Sequence, residues 1–200
     1  MGTVGAGWIK MSQVKGLLSP LLEKQRMEVA KKFIKQGSVL DIGCGEGKLL
    51  DYMIEGVPYL GIDINADSIR RAEAMRKNET NVEFRAMSLN DDPRLNRKFD
   101  NIVLLAVIEH VVSPEKSLTI LKNYLKEDGR MIITTPGPFA EKIHHVGARL
   151  RIFDREAQKE HKKIFNKKEL FELAENIGLR VDYYSTFEFG LNNIVVMVHA

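Results

Sequence analysis

The chain has 200 residues, 44% of them hydrophobic and 28% charged, a composition that suits one globular domain burying about 70% of its unfolded surface. A net charge of only +3 excludes a chain built throughout as a nucleic-acid coat, and a single cysteine excludes both an intramolecular disulfide framework and a cysteine-based zinc cluster. Residues 1–16 lack the apolar core of a signal peptide, Ala6 stands where a myristoylation motif needs Ser or Thr, and the longest apolar run, 102–108, is too short to cross a bilayer, so a soluble cytoplasmic protein is expected.

Residues 1–200 read as a single domain that opens with an N-terminal helical segment, residues 1–37. Ser19-Pro20 gives a helix start, with Ser as N-cap and Pro at the first helical position, and Leu22, Val29 and Phe33 supply the apolar stripe of a helix that stops before Gly37. Strands and helices then alternate. Strands are predicted at 38–42, 58–63, 81–86, 99–106 and 130–135, and helices near 46–55, 66–77 and 114–126. Ser113-Pro114 repeats the helix start, and Asp128-Gly129 reads as a turn before the fifth strand. Such alternation implies right-handed βαβ units and a mainly parallel sheet. The end of the chain changes rhythm. Asn166-Lys167-Lys168-Glu169 is a capping-box variant that opens a helix closed at Gly178, and two strand-like runs follow, 179–187 and 194–198, joined by a short link containing Gly190, Asn192 and Asn193. So short a link suits an antiparallel hairpin.

The most informative stretch is Val39-Leu40-Asp41-Ile42-Gly43-Cys44-Gly45-Glu46-Gly47, which reads as a short apolar strand ending in an acid, then a tight glycine loop and a helix start. Asp63, at the end of the run Tyr59-Leu60-Gly61-Ile62-Asp63, follows Gly47 by sixteen residues. Strand, glycine loop, helix, strand and acid form the layout of a Rossmann-type nucleotide site, with the second acid placed for ribose hydroxyls. A carboxylate at Asp41 would repel a dinucleotide's pyrophosphate, but it suits a ligand carrying an ammonium and a sulfonium, which points to S-adenosylmethionine and away from NAD. Cys44 in the loop is read simply as a small residue that fits.

With these features in hand, residues 19–198 resemble the class I S-adenosylmethionine-dependent methyltransferases, in the small-molecule, type 11-like branch. Residues 39–47 resemble the family's first motif, and Asp63 the acid that ends its second strand. Phe99-Asp100-Asn101-Ile102-Val103 with Ile108-Glu109-His110-Val111 resembles its fourth-strand signature, and residues 125–136 the fifth-strand segment. His161 with Phe165 and Glu169-Leu170 resembles a segment common in the branch. The fold implied is α/β and Rossmann-like, a seven-stranded, mainly parallel sheet closed by a C-terminal antiparallel hairpin. For the donor, the resemblance implies that Gly43 and Gly45 let backbone approach the methionine portion and that Asp41 holds the ammonium. Asp63 accepts the ribose hydroxyls, although a plainer role for it is capping the next helix. Ile64, Met87 and Leu89 enclose the adenine, and Leu104 and Leu105 offer backbone near the methionyl end. Ser88 stands where an Asp often binds the adenine amino group, and its hydroxyl can accept the same bond without charge.

Methyl transfer from a sulfonium needs alignment and exclusion of water more than it needs a base. A base matters when the acceptor keeps its proton at neutral pH, as a phenol does. His110, just past the fourth strand, is the first candidate, though Glu109-His110 can equally serve to order the loop before Ser113. His161 is the second. It lies in the stretch 139–166, the longest without a place in the sheet and therefore the expected acceptor lid. That stretch is basic, which fits an anionic acceptor, an anionic surface or RNA phosphates, and equally an exposed amphipathic helix. Glu109, His110 and His161 also resemble three of four metal ligands in the small-RNA 3′-terminal 2′-O-methyltransferases, but Ala106 replaces the fourth, so no metal site is assigned. The expected activity is transfer of a methyl group to a small-molecule acceptor, O-methylation favoured. RNA 2′-O-methylation and a non-catalytic cofactor-binding module are the alternatives.

Overall fold

Helices covering both faces of a parallel sheet require strands that are apolar on both sides, and the central strands of this chain have that character. β1 (Val39–Ile42) and β2 (Tyr59–Asp63) are buried at every position, and β4 (Phe99–Leu105) at all but Asp100 and Leu105. The computed structural model describes residues 19–88, 92–139 and 163–200. In it these strands join β3 (Val82–Ala86), β5 (Leu125–Pro136), β6 (Leu179–Phe187) and β7 (Asn192–His199) in one sheet of order β3-β2-β1-β4-β5-β7-β6. Strands β1 to β5 run parallel, and β7 lies antiparallel to both β5 and β6. The strand order reverses between β1 and β4, the point at which open α/β sheets carry their ligands at the carboxyl ends of the strands.

Two layers of helix cover the sheet. On one face, α1 (Ser19–Lys31), α2 (Ala66–Met75) and a 3₁₀ turn at Lys48–Tyr52 bury Ala30, Ile69, Ala72 and Leu49 against Val39, Val103, Ile132 and Val196. On the other, α3 (Pro114–Lys122) and α4 (Lys167–Asn176) bury Leu118, Leu121, Leu170 and Ala174 against Leu40, Leu60, Ile102 and Val195. The capping box forms as the sequence predicts: Glu169 N–H donates to Asn166 Oδ1 at 3.0 Å, and Asn166 N–H donates to Glu169 Oε2 at 2.8 Å. Gly178 then takes a φ of +70° and releases the chain into β6.

Four local expectations need correction. The helix predicted at 46–55 shrinks to one 3₁₀ turn, because Gly45 and Gly47 hold φ of +55° and +73° and no helix can begin before them. Ser113 stands at the N-cap of α3 but makes no side-chain capping bond there; Pro114 at the first turn does the positioning. Asp128-Gly129 is not a turn outside the sheet. β5 starts at Leu125, opposite Phe99, and bulges until Arg130 meets Asn101. Asn192 and Asn193 belong to β7 and not to the hairpin link, pairing with Pro136 and Thr135 of β5. Burial of the Asn193 amide is offset by bonds, since Tyr184 O–H donates to Asn193 Oδ1 and Asn193 Nδ2 donates to the Phe165 carbonyl, both at 2.9 Å. Among the described residues no helix is long and apolar enough to cross a membrane.

Candidate functional site

The glycine loop is pinned to the end of β2. Gly43 and Cys44 N–H both donate to the Ile62 carbonyl, at 2.7 and 3.2 Å, and Gly47 N–H donates to the Cys44 carbonyl at 2.9 Å. Gly43 has a φ of +72°, and a Cβ there would stand 2.4 Å from Val107 Cγ2, so a side chain is excluded twice over. At Gly45 an added Cβ would meet nothing within 4 Å. The loop is therefore closed on its sheet side and open at Gly45, a cradle of bare backbone facing outward.

Asp63 closes one end of that cradle. It is 9% exposed, and its two oxygens each accept one backbone N–H at 2.8 Å, Oδ2 from Gly45 and Oδ1 from Asn65. A carboxylate has about four lone-pair sites, so two remain for hydroxyl donors. Capping of α2 falls to Asn65, whose Oδ1 accepts from Asp67 and Ser68 N–H at 3.0 and 3.2 Å, and Asp63 is thereby left for other work. Ile64 beside it is 46% exposed, an apolar side chain turned to solvent next to an acid. Met87 and Ser88 are half-buried at the end of β3, with Met87 N–H donating to the Asp63 carbonyl at 2.9 Å. Ile64, Asp63, Met87 and Ser88 thus share one rim with Gly45. Leu89 lies outside the described residues.

Asp41 sits deeper, 3% exposed, between β2 and β4 and opposite Gly61 and Val103. Tyr59 O–H donates to Asp41 Oδ2 at 2.6 Å. Burial, opposed by that bond, raises the Asp41 carboxyl to about 7, with the charge of Asp63 adding to the rise. Sequence reasoning missed Tyr59. The pair exists only through the register: Tyr59 pairs with Val39 on the same face as Asp41, and Gly61 between them carries no side chain. Cys44 Sγ and Phe84 fill the remainder, each 2.7 Å from where a Cβ on Gly61 would stand.

Across the cradle, the end of β4 makes a sharp turn. Leu104 is fully buried and paired on both sides, with Ile42 and Ile133, whereas Leu105 pairs with Thr134 after β1 has ended. Ala106 then takes a φ of +56°, held by its N–H donating to the Thr134 carbonyl at 3.0 Å and Oγ1 at 3.2 Å. The following 3₁₀ turn, Ile108–His110, buries Glu109 and leaves His110 half-buried at the sheet's carboxyl edge. Lys163 N–H donates to the Glu109 carbonyl at 3.1 Å, which ties the return of the 139–166 stretch to this turn. His161 itself, two residues earlier, lies outside the described residues, as do residues 140–162 as a whole. Among the described residues no three His, Cys, Asp or Glu side chains stand together as a metal site.

A family model described as a methyltransferase domain matches residues 13–184. A ubiquinone biosynthesis O-methyltransferase from Glaesserella parasuis is 36% identical over 104 residues, 48% of this chain and 44% of that protein. A tRNA U34 carboxymethyltransferase from Campylobacter fetus is 31% identical over 105 residues, 51% of this chain and 37% of that protein. The chain therefore spans less than half the length of these two relatives. Among solved structures, magnesium protoporphyrin IX methyltransferase from Synechocystis, with bound S-adenosylhomocysteine, superposes with a TM-score of 0.73 at 16% identity, covering 98% of this chain and 90% of that one. That likeness is one of fold.

Proposed function

The chain belongs to the class I S-adenosylmethionine-dependent methyltransferases, and from that premise we propose that it methylates an oxygen of a small, largely apolar acceptor of phenolic type. The observation that carries the acceptor class is a set of large apolar side chains exposed where the strands end. Val112 follows β4, Phe139 follows β5, and Phe189, fully exposed, follows β6. All three stand beyond the sheet edge that carries the glycine loop, and Phe139 lies 3.7 Å from where a Cβ on Gly190 would be. Solvent-exposed Phe and Val gathered on one edge favour an apolar ligand over a phosphate backbone. The relative named for ubiquinone biosynthesis O-methylation supports the same acceptor class.

Each donor contact has a residue suited to it. Asp63 accepts two ribose hydroxyls on its remaining lone pairs. Asp41 meets the ammonium. Ile64 and Met87 border the adenine, with Leu89, and the Ser88 hydroxyl accepts from its amino group. Bare backbone at Gly43 and Gly45 lets the methionyl chain lie close, and Leu105 backbone completes that side, with Leu104 buried behind it. When bound, the donor supplies a methyl group on a sulfonium, already activated for in-line displacement. What remains for the protein is to orient the acceptor oxygen, keep water out and, for a phenol, remove a proton. His110 at the turn after β4 is the base within reach of that edge, and His161 is the second candidate.

The test pairs donor turnover with product identity. Purified protein, labelled S-adenosylmethionine and a panel of catechols, hydroxybenzoates and naphthols are followed by mass spectrometry, with bulk tRNA as the competing acceptor. A phenolic methyl ether is expected, and His110→Ala should slow it by about 10²–10⁴ while S-adenosylhomocysteine binding is retained. Methyl transfer to tRNA with none to the phenols would overturn the acceptor class. Donor binding without transfer to either would favour a non-catalytic module.

A further inference from the structure

Asp41 is the one carboxylate of the site with a buried tyrosine for a partner. Its neighbours are few and can be named. From β2, Tyr59 donates at 2.6 Å, and Asp63 adds like charge from the end of the same strand. From β4, the facing residue is Val103, and from β3, Phe84 packs edge-on to the Tyr59 ring with centroids 5.8 Å apart. Cys44 in the loop keeps its thiol neutral, since burial pushes it well up. Among the described residues no lysine or arginine forms a salt bridge with Asp41; Arg76 acts on Tyr59 only from a distance. Tyr59 is buried, and its phenol is pushed well above its ordinary value, first by burial, so it remains a donor throughout the neutral range.

An ionised carboxylate stripped of water and given no cation is unstable unless hydrogen bonds hold it. Here a single phenol does so, on one oxygen. We propose that Tyr59 is a positioning residue for the donor's amino-acid end: by donating to Oδ2 it favours the ionised form of Asp41 and turns the other oxygen to the ligand's ammonium, so that donor capture is coupled to loss of a proton from Asp41. Gly61, paired with Asp41, has no side chain, and Cys44 Sγ and the Phe84 ring that packs edge-on to Tyr59 occupy that space beside the pair. This inference rests on Asp41 meeting the ammonium, as set out above.

Two ligands separate the contributions. S-adenosylhomocysteine carries the amino-acid end, and 5′-methylthioadenosine lacks it. In titration calorimetry between pH 5.5 and 8, the wild-type affinity for S-adenosylhomocysteine should fall about tenfold per pH unit below its midpoint, while that for methylthioadenosine stays flat. Tyr59→Phe should move the midpoint upward by about one unit, weakening S-adenosylhomocysteine about tenfold at pH 6.5 and leaving methylthioadenosine unchanged. Replacing Tyr59 by 3-fluorotyrosine, which keeps the shape and strengthens the donor, should move the midpoint down, and it serves if the phenylalanine variant does not fold. A pH-dependent wild type whose midpoint ignores the change at Tyr59 would overturn the role of Tyr59 alone. Equal pH profiles for the two ligands, with Asp41→Asn weakening both alike, would overturn the ammonium contact and this inference with it.

Discussion

The two halves of the sheet's carboxyl edge are built on opposite terms. At β1, β2 and β3 the positive φ angles of the loop all fall on glycines, 43, 45 and 47, and both carboxylates have their hydrogen bonds set by backbone or phenol. At β4, β5 and the β6–β7 turn, left-handed backbone falls on Ala106, Glu188 and Phe189, which have side chains to strain against it. The same half leaves Thr135 Oγ1, Glu188 Oε1 and Asn192 Oδ1 buried without a hydrogen-bond partner, and it holds the exposed phenylalanines. Burial also raises the Glu188 carboxyl, against the pull of Arg26 and of the hydrogen bond that Asn192 Nδ2 donates to its other oxygen. The backbone of one edge is relaxed and pre-formed, whereas that of the other is strained and flanked by unpartnered polar atoms. Strain and orphaned polar atoms persist where the surrounding structure enforces them, and they gather at sites that take a variable ligand.

If the relaxed half is the donor's, damage to it should be large and confined to donor binding. Asp63→Ala removes the acceptor for two hydroxyls and for Gly45 N–H together. Charge-assisted bonds contribute about 1.5–3 kcal/mol each, so S-adenosylhomocysteine affinity should fall by at least about 100-fold. A loss under tenfold in calorimetry would break the assignment of this half to the donor.

Asp41→Asn sharpens the comparison, because it sets stability against binding. The folded carboxyl sits at about 7 against an ordinary 3.8, so the folded chain binds the proton more tightly than the unfolded chain does. Wild-type stability from this group is therefore full below about pH 4 and declines as pH rises toward 7. An asparagine never ionises and still accepts from Tyr59. At pH 8 the variant should be more stable by about 4 kcal/mol, a rise in Tm of roughly ten degrees, and the gain should vanish near pH 4. Donor affinity at pH 8 should meanwhile drop. A pH-independent difference in Tm would show that Asp41 is not held in this state.

The same contrast explains which parts were legible in the sequence. Where a backbone angle or a bond to backbone sets the geometry, the requirement falls on residue type at fixed spacing, and Gly43, Gly45 and Asp63 could be picked out from their neighbours alone. The strand starts were legible to within a residue for β1 to β4, because apolar runs bounded by Gly, Pro and Asn leave little choice. Tyr59 was not legible as a partner of Asp41, since the pair exists only through the parallel register of β1 and β2 and the gap at Gly61. The β5 bulge was hidden for a similar reason: Asp128-Gly129 has the composition of a turn, and only pairing of Leu125 with Phe99 draws it into the sheet. On the edge formed by the ends of β4, β5 and β6 the cues are exposed side chains and left-handed angles. Neither has a spacing rule, and the sequence alone gave Val112, Phe139 and Phe189 no role.

Ala106 offers the smallest effect and the most direct test of the strained half. Its φ of +56° is imposed by two bonds from one N–H to Thr134, at the point where β4 ends and the turn to His110 begins. A left-handed alanine costs roughly 1–2 kcal/mol, whereas glycine takes the angle freely but gives up about 0.5–1 kcal/mol to the unfolded chain. Ala106→Gly should therefore be stabilising by about 0.5 kcal/mol, a shift of one or two degrees in Tm. The added freedom lies in the turn that carries His110, so kcat should fall a few-fold while S-adenosylhomocysteine affinity holds, because the glycine loop on the far side of the cradle is untouched. A destabilised Gly variant would mean that the backbone at this turn relaxes in solution, and the strain that distinguishes this half of the edge would then rest on Glu188 and Phe189 alone.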